Sequence, residues 1–349
     1  MIRDELIDAK PYALAPAEKD PRFLAAMNEL TAHHVAHSVQ YARIVKGTFG
    51  ETATRLEDVP WLPVSLFKSH DLRSVPQEEV FKVVASSGTT TGQVSRVVLD
   101  RQTASLQSKV LLHLLADLVG PSRLPLLIVD YAPGGGRAIN ARYAATVGIQ
   151  PLGRDTFYCL DEQLRLDRDG LRAWLAKHPE GPILVFGFTF ILWQSFLREL
   201  ADGEIDLSRA TLLHTGGWKR LEAEKIDNAS YKEAFAKRTG LRRVHNFYGM
   251  AEQVGTVFVE CEAGVLHAPA CAEIIVRDER TWAPSDHGVI QVMSVLPTSY
   301  PGHSLLTEDL GRVIGKDGCA CGRRGTHFVV TGRAPRAELR GCSDVRAVP

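Results

Sequence analysis

Four short apolar runs recur along the middle of this chain, and their alternation with helical stretches restricts the fold more than any other feature. The runs are Leu126–Val129, Ile183–Phe186, Thr211–His214 and Arg243–Phe247. Each is strand-sized and reads as a strand covered on both faces. Stretches with helical spacing near 162–178, 189–202 and 220–238 separate them. Strand and helix alternating in this way predict an α/β architecture with a largely parallel sheet. Upstream, Val97–Leu99 reads as a strand and Thr103–Leu118 as a helix with Leu106, Val110, Leu111, Leu114, Leu115 and Leu118 on one face. An N-terminal helical segment spans Pro21–Val45, and its His33, His34 and His37 read as solvated or capping side chains. Beyond Val257 the pattern changes to closely spaced β segments at 257–260, 272–276, 289–295 and 328–330, broken by Gly and Pro. The expected organisation is a 1–256 α/β core with the helical segment, a 257–333 β-rich lobe and a short 334–349 tail.

Lys plus Arg equals Asp plus Glu at 41 each. No global field draws in nucleic acid or an anionic membrane, so an anionic ligand has to be held locally. The apolar runs fall far short of the roughly 20 residues of a membrane span, and Asp4 and Glu5 stand where a signal peptide needs basic residues. The expectation is a cytoplasmic protein with neither nucleic-acid nor membrane partners. Six cysteines in 349 residues are too few for a disulfide scaffold.

Chemistry-bearing loops follow the predicted strands. Ser86, Ser87, Gly88, Thr89, Thr90, Thr91 and Gly92 come directly after Phe81–Ala85. Glycine allows close backbone approach and hydroxyls add donors, so the loop is suited to a triphosphate, although its spacing is not that of a P-loop and a plain turn is the other reading. Thr215-Gly216-Gly217-Trp218-Lys219 and Asn246–Glu252 also lie at strand ends, where open α/β sheets bind ligands. In the second, Tyr248 offers a flat face for a base, Gly249 close approach and Glu252 a carboxylate for a divalent cation. In Thr307–Arg312, Asp309 is an acid beside a turn that suits ribose hydroxyls. Taken singly, each piece fits core or turn better than a site.

Together, in this order, the segments resemble the adenylate-forming superfamily of acyl-CoA ligases, luciferases and peptide-synthetase adenylation domains. Within it the chain is similar to the acyl-protein synthetase family of bacterial luminescence, neighbours of the phenylacetate-CoA ligases. Trp61–Lys68, Ser86–Arg96, Leu99–Ala104 and Ala337–Cys342 carry that resemblance, which covers nearly the whole chain. It implies the large N-terminal domain of an adenylating ligase. Loop 86–92 would bind ATP phosphates, with Gly217 in the nucleotide site, Tyr248 against adenine, Glu252 on Mg²⁺, and Asp309 and Arg333 on ribose. Lys219 is the candidate positive group near the phosphates.

Two departures from the family pattern accompany the resemblance. Residues 334–349 alone follow Arg333, where most such enzymes carry a mobile domain of roughly 100 residues, a small domain in size. The expectation is that this domain is essentially absent, with Ala334-Pro335 at the hinge position. The activity implied is attack of a fatty or aryl carboxylate on ATP, with transfer to a thiol, either Cys342 or a partner protein's nucleophile. Phe186, Phe188, Phe190 and Trp193 are candidates for an apolar acid pocket, or else core. Alternatives are an aryl-acid ligase serving a small amine or alcohol, and a non-catalytic nucleotide- or acyl-binding remnant.

Cys261, His267, Cys319 and Cys321 make a Cys₃His set suited to structural zinc. Both pairs resemble zinc-bearing members of the phenylacetate-CoA ligase branch. Reduced thiols without metal are the competing reading, and four protein ligands would leave no open catalytic position. Cys159 and Cys271 read as core thiols. Cys342, beside Arg340, matches the position of the acyl-carrying cysteine of the luminescence enzyme.

Overall fold

The computed structural model describes residues 2–50, 52–85, 94–132, 141–218 and 226–334. In chain order its strands are β1 (Leu62–Pro63), β2 (Lys82–Ala85), β3 (Arg96–Leu99), β4 (Leu124–Tyr131), β5 (Gly153–Leu160), β6 (Ile183–Phe188) and β7 (Ala210–Thr215). There follow β8 (Arg243–Tyr248), β9 (Phe258–Glu260), β10 (Leu266–His267), β11 (Ala272–Arg277), β12 (His287–Ser294), β13 (Ser304–Lys316) and β14 (Thr326–Arg333). The chain divides into two compact units. Among the described residues one gathers 2–114 and 249–334, and the other holds 115–248.

The 115–248 unit is built on parallel strands in the order β5-β4-β6-β7-β8. All six residues of β6 are buried, as are Leu124 to Asp130 of β4. Helices Arg168–Lys177 and Asn228–Thr239 are set by their caps. Asp167 accepts from the Gly170 N–H and Asp227 from the Ser230 N–H, each at 2.9 Å, and Gly240 ends the second helix at φ 71°. The stretch expected as a helix over 189–202 is instead one turn, Thr189–Ile191, followed by a π-helix, Leu192–Leu197. Phe188 pairs with Thr215 and Thr215 with Phe247, so the loops after β6, β7 and β8 leave one edge of this sheet side by side.

The other unit is an antiparallel sheet, β11-β12-β13-β14-β10-β9, with β1 added in parallel to β13 and a separate β2–β3 hairpin. The β segments beyond Val257 therefore pack in one unit with the N-terminal helices, Pro16–His37 and Val39–Thr48. Lys19 and Glu273 make that attachment, with Nζ 2.9 Å from Oε2, both side chains nearly fully buried, and a second bond from Nζ to the Ala272 carbonyl at 2.6 Å. A buried charge is tolerable only when paired and hydrogen-bonded in this way.

Of the three histidines expected to be solvated or capping, His37 is exposed, whereas His34 is fully buried. Its Nδ1 bonds Ser74 Oγ at 2.7 Å and its ring stacks on His303 at 4.9 Å between centroids. His303 is itself buried, with Nε2 near the hydroxyls of Thr31 (3.1 Å) and Tyr41 (3.3 Å). The helical period carried His34 to the inner face, where short-range spacing gives no sign of the partner 269 positions away in sequence. Burial holds both imidazoles neutral, His303 down to about 3 and His34 well below its ordinary value, with neighbouring histidines adding to the effect. Both folded-state values are depressed. The stabilisation is therefore complete above the unfolded value near 6.5 and lost as pH falls below it, by about 1.4 kcal/mol per group per pH unit. Melting temperature should fall steeply between pH 7 and 5, and His34→Leu should flatten that slope; an unchanged slope in the variant would count against this account. No helix among the described residues is long and apolar enough to cross a membrane.

Candidate active site and metal centre

Glu252 lies in a 3-10 turn, Ala251–Gln253, and is 6% exposed. The turn is held on both sides. Tyr300 donates its hydroxyl to the Glu252 carbonyl at 2.9 Å, and Gln253 Nε2 donates to the carbonyls of Gly302 and Val292 at 2.8 and 3.2 Å. Gly255, at φ 85°, approaches Gln107 so closely that an added Cβ would lie 2.5 Å from its carbonyl oxygen. Only glycine satisfies both demands there. Burial pushes the Glu252 carboxyl above the ordinary carboxylate range; a bond from Ser95 and the charge of Lys68 pull it back, and Glu308 adds to the rise.

Asp309 and Arg333 stand directly opposite each other on β13 and β14. Arg333 Nε lies 3.3 Å from Asp309 Oδ1, and its Nη2 donates to Glu308 Oε2 at 3.1 Å. Lys68 Nζ is 3.8 Å from the other oxygen of Glu308. Asp309, expected beside a turn, is instead inside the 13-residue strand β13, next to a register shift between Leu310 and Gly311. Such a bulge re-aims side chains without ending the strand. Two cations against three carboxylates leave this cluster net negative. It suits a metal cation and sugar hydroxyls, whereas triphosphate charge has to be met by other groups. Lys68, Ser95 and Glu308 went unassigned in the sequence reading. The signal was present, because Lys68 closes the Trp61–Lys68 motif and Ser95 falls within Ser86–Arg96.

In the 115–248 unit, Gly217 is exposed in the turn after β7 and Tyr248 is half-buried at the end of β8. Gly249 opens the next segment, and a Cβ there would lie 3.2 Å from the Thr256 carbonyl. Phe186 and Phe188 are core, Phe186 stacking on Phe247 at 6.4 Å, whereas Trp193 is half-buried edge-on to Trp218 at 5.5 Å. Ser86 to Gly92, Lys219 and Cys342 lie outside the described residues.

Cys261, His267, Cys319 and Cys321 converge, their ligand atoms all within 4.8 Å of one another. The Sγ of Cys319 is 3.8 Å from that of Cys261 and 3.4 Å from that of Cys321, which in turn is 3.4 Å from His267 Nε2. The topology explains the meeting. Strand β10 pairs with both β9 and β14, so the β9–β10 turn carrying Cys261 and the β13–β14 turn carrying Cys319 and Cys321 fall at one end of the sheet. The turns are tight, with Gly264 N–H on the Cys261 carbonyl at 3.0 Å and Gly322 N–H on that of Cys319 at 2.9 Å. The Arg323 N–H points at Cys321 Sγ at 3.4 Å. A tetrahedron with Zn–S bonds of about 2.3 Å has edges of about 3.8 Å. Three thiols and an imidazole at these separations fit zinc in donor set and size. Cys159 and Cys271 are buried core thiols, as expected.

The family model described as "Acyl-protein synthetase, LuxE" matches residues 1–347. The long-chain-fatty-acid–luciferin-component ligase of Vibrio harveyi is 25% identical over 84% of this chain and 79% of its own length. That of Aliivibrio fischeri is 22% identical over 74% and 70%. Among solved structures, 2-hydroxyisobutyryl-CoA ligase superposes with a TM-score of 0.70 at 17% identity, covering 92% of this chain and 76% of that one, a likeness of fold. The adenylating-ligase fold expected from the sequence is thus present, and the chain belongs to the acyl-protein synthetase family, a family of ligases.

Proposed function

We propose that this chain activates a carboxylic acid with ATP and passes the acyl group to a thiol. A carboxylate oxygen attacks the α-phosphorus, the bond to the bridging oxygen breaks, and pyrophosphate leaves with its electron pair. A thiolate then attacks the acyl carbon, forming a thioester and releasing AMP. The observation that carries this reading is the pre-set cluster of Glu252, Asp309 and Arg333 with Lys68 and Glu308. Such a step depends on positioning and charge neutralisation rather than on covalent chemistry by the protein. Loop 86–92 and Lys219 take the phosphates, Gly217 belongs to the nucleotide site, Tyr248 serves adenine, and Asp309 and Arg333 the ribose. Glu252 holds Mg²⁺, which when bound neutralises phosphate charge. The Cys₃His set holds a structural zinc. Among fatty and aryl acids the relatives' names favour a long-chain fatty acid, and the acceptor thiol is Cys342 or a partner protein's nucleophile.

Carboxylate-dependent ATP–pyrophosphate exchange over fatty and aromatic acids tests the first step. Exchange is expected with fatty acids, together with labelled acyl on the protein. Cys342→Ala should abolish the label and leave exchange within about twofold, because adenylation precedes the thiol. ATP binding without exchange on any acid would instead favour a nucleotide-binding remnant. Exchange with aryl acids and no acyl-protein would favour transfer to a small amine or alcohol.

A further inference from the structure

His214 is the penultimate residue of β7 and only 3% exposed. Its Nδ1 lies 2.9 Å from Thr189 Oγ1. The same hydroxyl is 2.6 Å from the Gly216 carbonyl oxygen and 3.2 Å from that of Thr215. A hydroxyl has one proton to give, and a carbonyl oxygen only accepts. The Thr189 proton therefore goes to Gly216, and Thr189 Oγ1 accepts from Nδ1–H of His214. Burial first, then the charges of Lys232 and His245, lower this imidazole to about 3, so it is neutral. Nε2 is consequently an acceptor, and among the described residues it has no hydrogen-bond partner. A buried acceptor without a donor is uncommon in native proteins and calls for an explanation.

Its surroundings favour a ligand. His214 sits at the edge of the parallel sheet from which the loops after β6, β7 and β8 emerge, where α/β sheets bind small molecules. The segment after β6 is the π-helix Leu192–Leu197, a distortion that frequently marks functional sites. Tyr231 lies 5.0 Å from the His214 ring, and Trp193 and Trp218 pack on Tyr231 at 6.1 and 5.8 Å. A carboxylate or ketone offers Nε2 no proton, and an ammonium would be buried in the field of Lys232. A neutral hydroxyl against aromatic faces meets both conditions.

We propose that the acid this chain activates carries a neutral hydroxyl, aliphatic or phenolic, that donates to Nε2 of His214 beside Trp193, Trp218 and Tyr231. This rests on the adenylation reading above and narrows its substrate to hydroxylated acids. The test is pyrophosphate exchange with matched pairs: dodecanoate against its mid-chain and terminal hydroxy derivatives, and benzoate against the hydroxybenzoates. At least one hydroxylated member should exceed its parent by about tenfold or more in kcat/KM, since a site built to bond a hydroxyl rejects the analogue lacking it. The aliphatic and phenolic arms distinguish the two sources. His214→Phe should erase that preference through the KM for the acid, and His214→Gln, whose carbonyl can accept, should restore part of it. Equal use of every pair by the wild type, which needs no variant to fold, overturns the proposal. So does a His214→Phe effect confined to the KM for ATP, which would make adenine the donor. No exchange with any acid removes the adenylation reading itself.

Discussion

Replacing Glu252 by Gln is expected to lower pyrophosphate exchange by at least about 10²-fold while raising the melting temperature of the ligand-free protein by about 2–4 °C. The two effects have one cause. Glu252 is buried, its carboxyl is raised by that burial, and Glu308 raises it further. Because the folded-state value lies above the unfolded one, the folded protein binds the proton more tightly, and stability falls as pH rises through the interval between them. At neutral pH the ionised carboxylate is a cost that Gln removes. The same ionised oxygen is what a divalent cation requires, so stability is given up where the reaction needs charge. Wild-type protein should gain melting temperature with ATP plus Mg²⁺ beyond ATP alone, and the variant should lose that increment. Exchange within threefold of wild type in Glu252→Gln would remove Glu252 from the reaction.

Cys319→Ser should lower the zinc content of purified protein from about one equivalent to a small fraction. Melting temperature should fall by roughly 10 °C, which at about 2–4 °C per kcal/mol for a unit of this size is ~3–5 kcal/mol. The reason lies in the two turns that meet there. Each is short, and Cys319 and Cys321 are only half-buried, so little apolar packing holds the β13–β14 tip against the β9–β10 tip. A metal held by all four ligands would supply that link, its binding free energy becoming folding free energy. Elemental analysis and thermal melts with and without a strong chelator check this without reference to activity. Protein with less than about half an equivalent of metal, and no shift on chelation or in Cys319→Ser, would leave the four residues as reduced thiols and an imidazole.

Legibility in the sequence followed the range of the interaction. Strands β4, β6, β7 and β8 could be read because burial on both faces is written into consecutive residues. The Cys₃His set could be read as an inventory of donors. Strand β13 was harder, since its buried residues are Ser304–Thr307 and Gly311, with half-buried residues between them and alternation beyond; Asp309 therefore looked like part of a turn. The π-helix at Leu192–Leu197 has a composition that serves an ordinary helix equally well. Lys68 and Glu308 carry no local mark of their pairing, which joins positions 240 apart.

The sequence by itself determined the α/β class, the family, and the inventory of side chains that the proposed reading assigns to ATP, Mg²⁺ and zinc. Tertiary structure alone decided which of them meet. Antiparallel register put Asp309 opposite Arg333, the pairing of β10 with β14 brought two distant turns to the same end of the sheet, and the Gly216 carbonyl set the direction of the Thr189 hydroxyl beside His214. Each of these rests on contacts between residues remote in the chain or on the direction of one proton. Neither is encoded in local spacing, because hydrogen-bond registers between distant strands are selected by the packing of the whole unit.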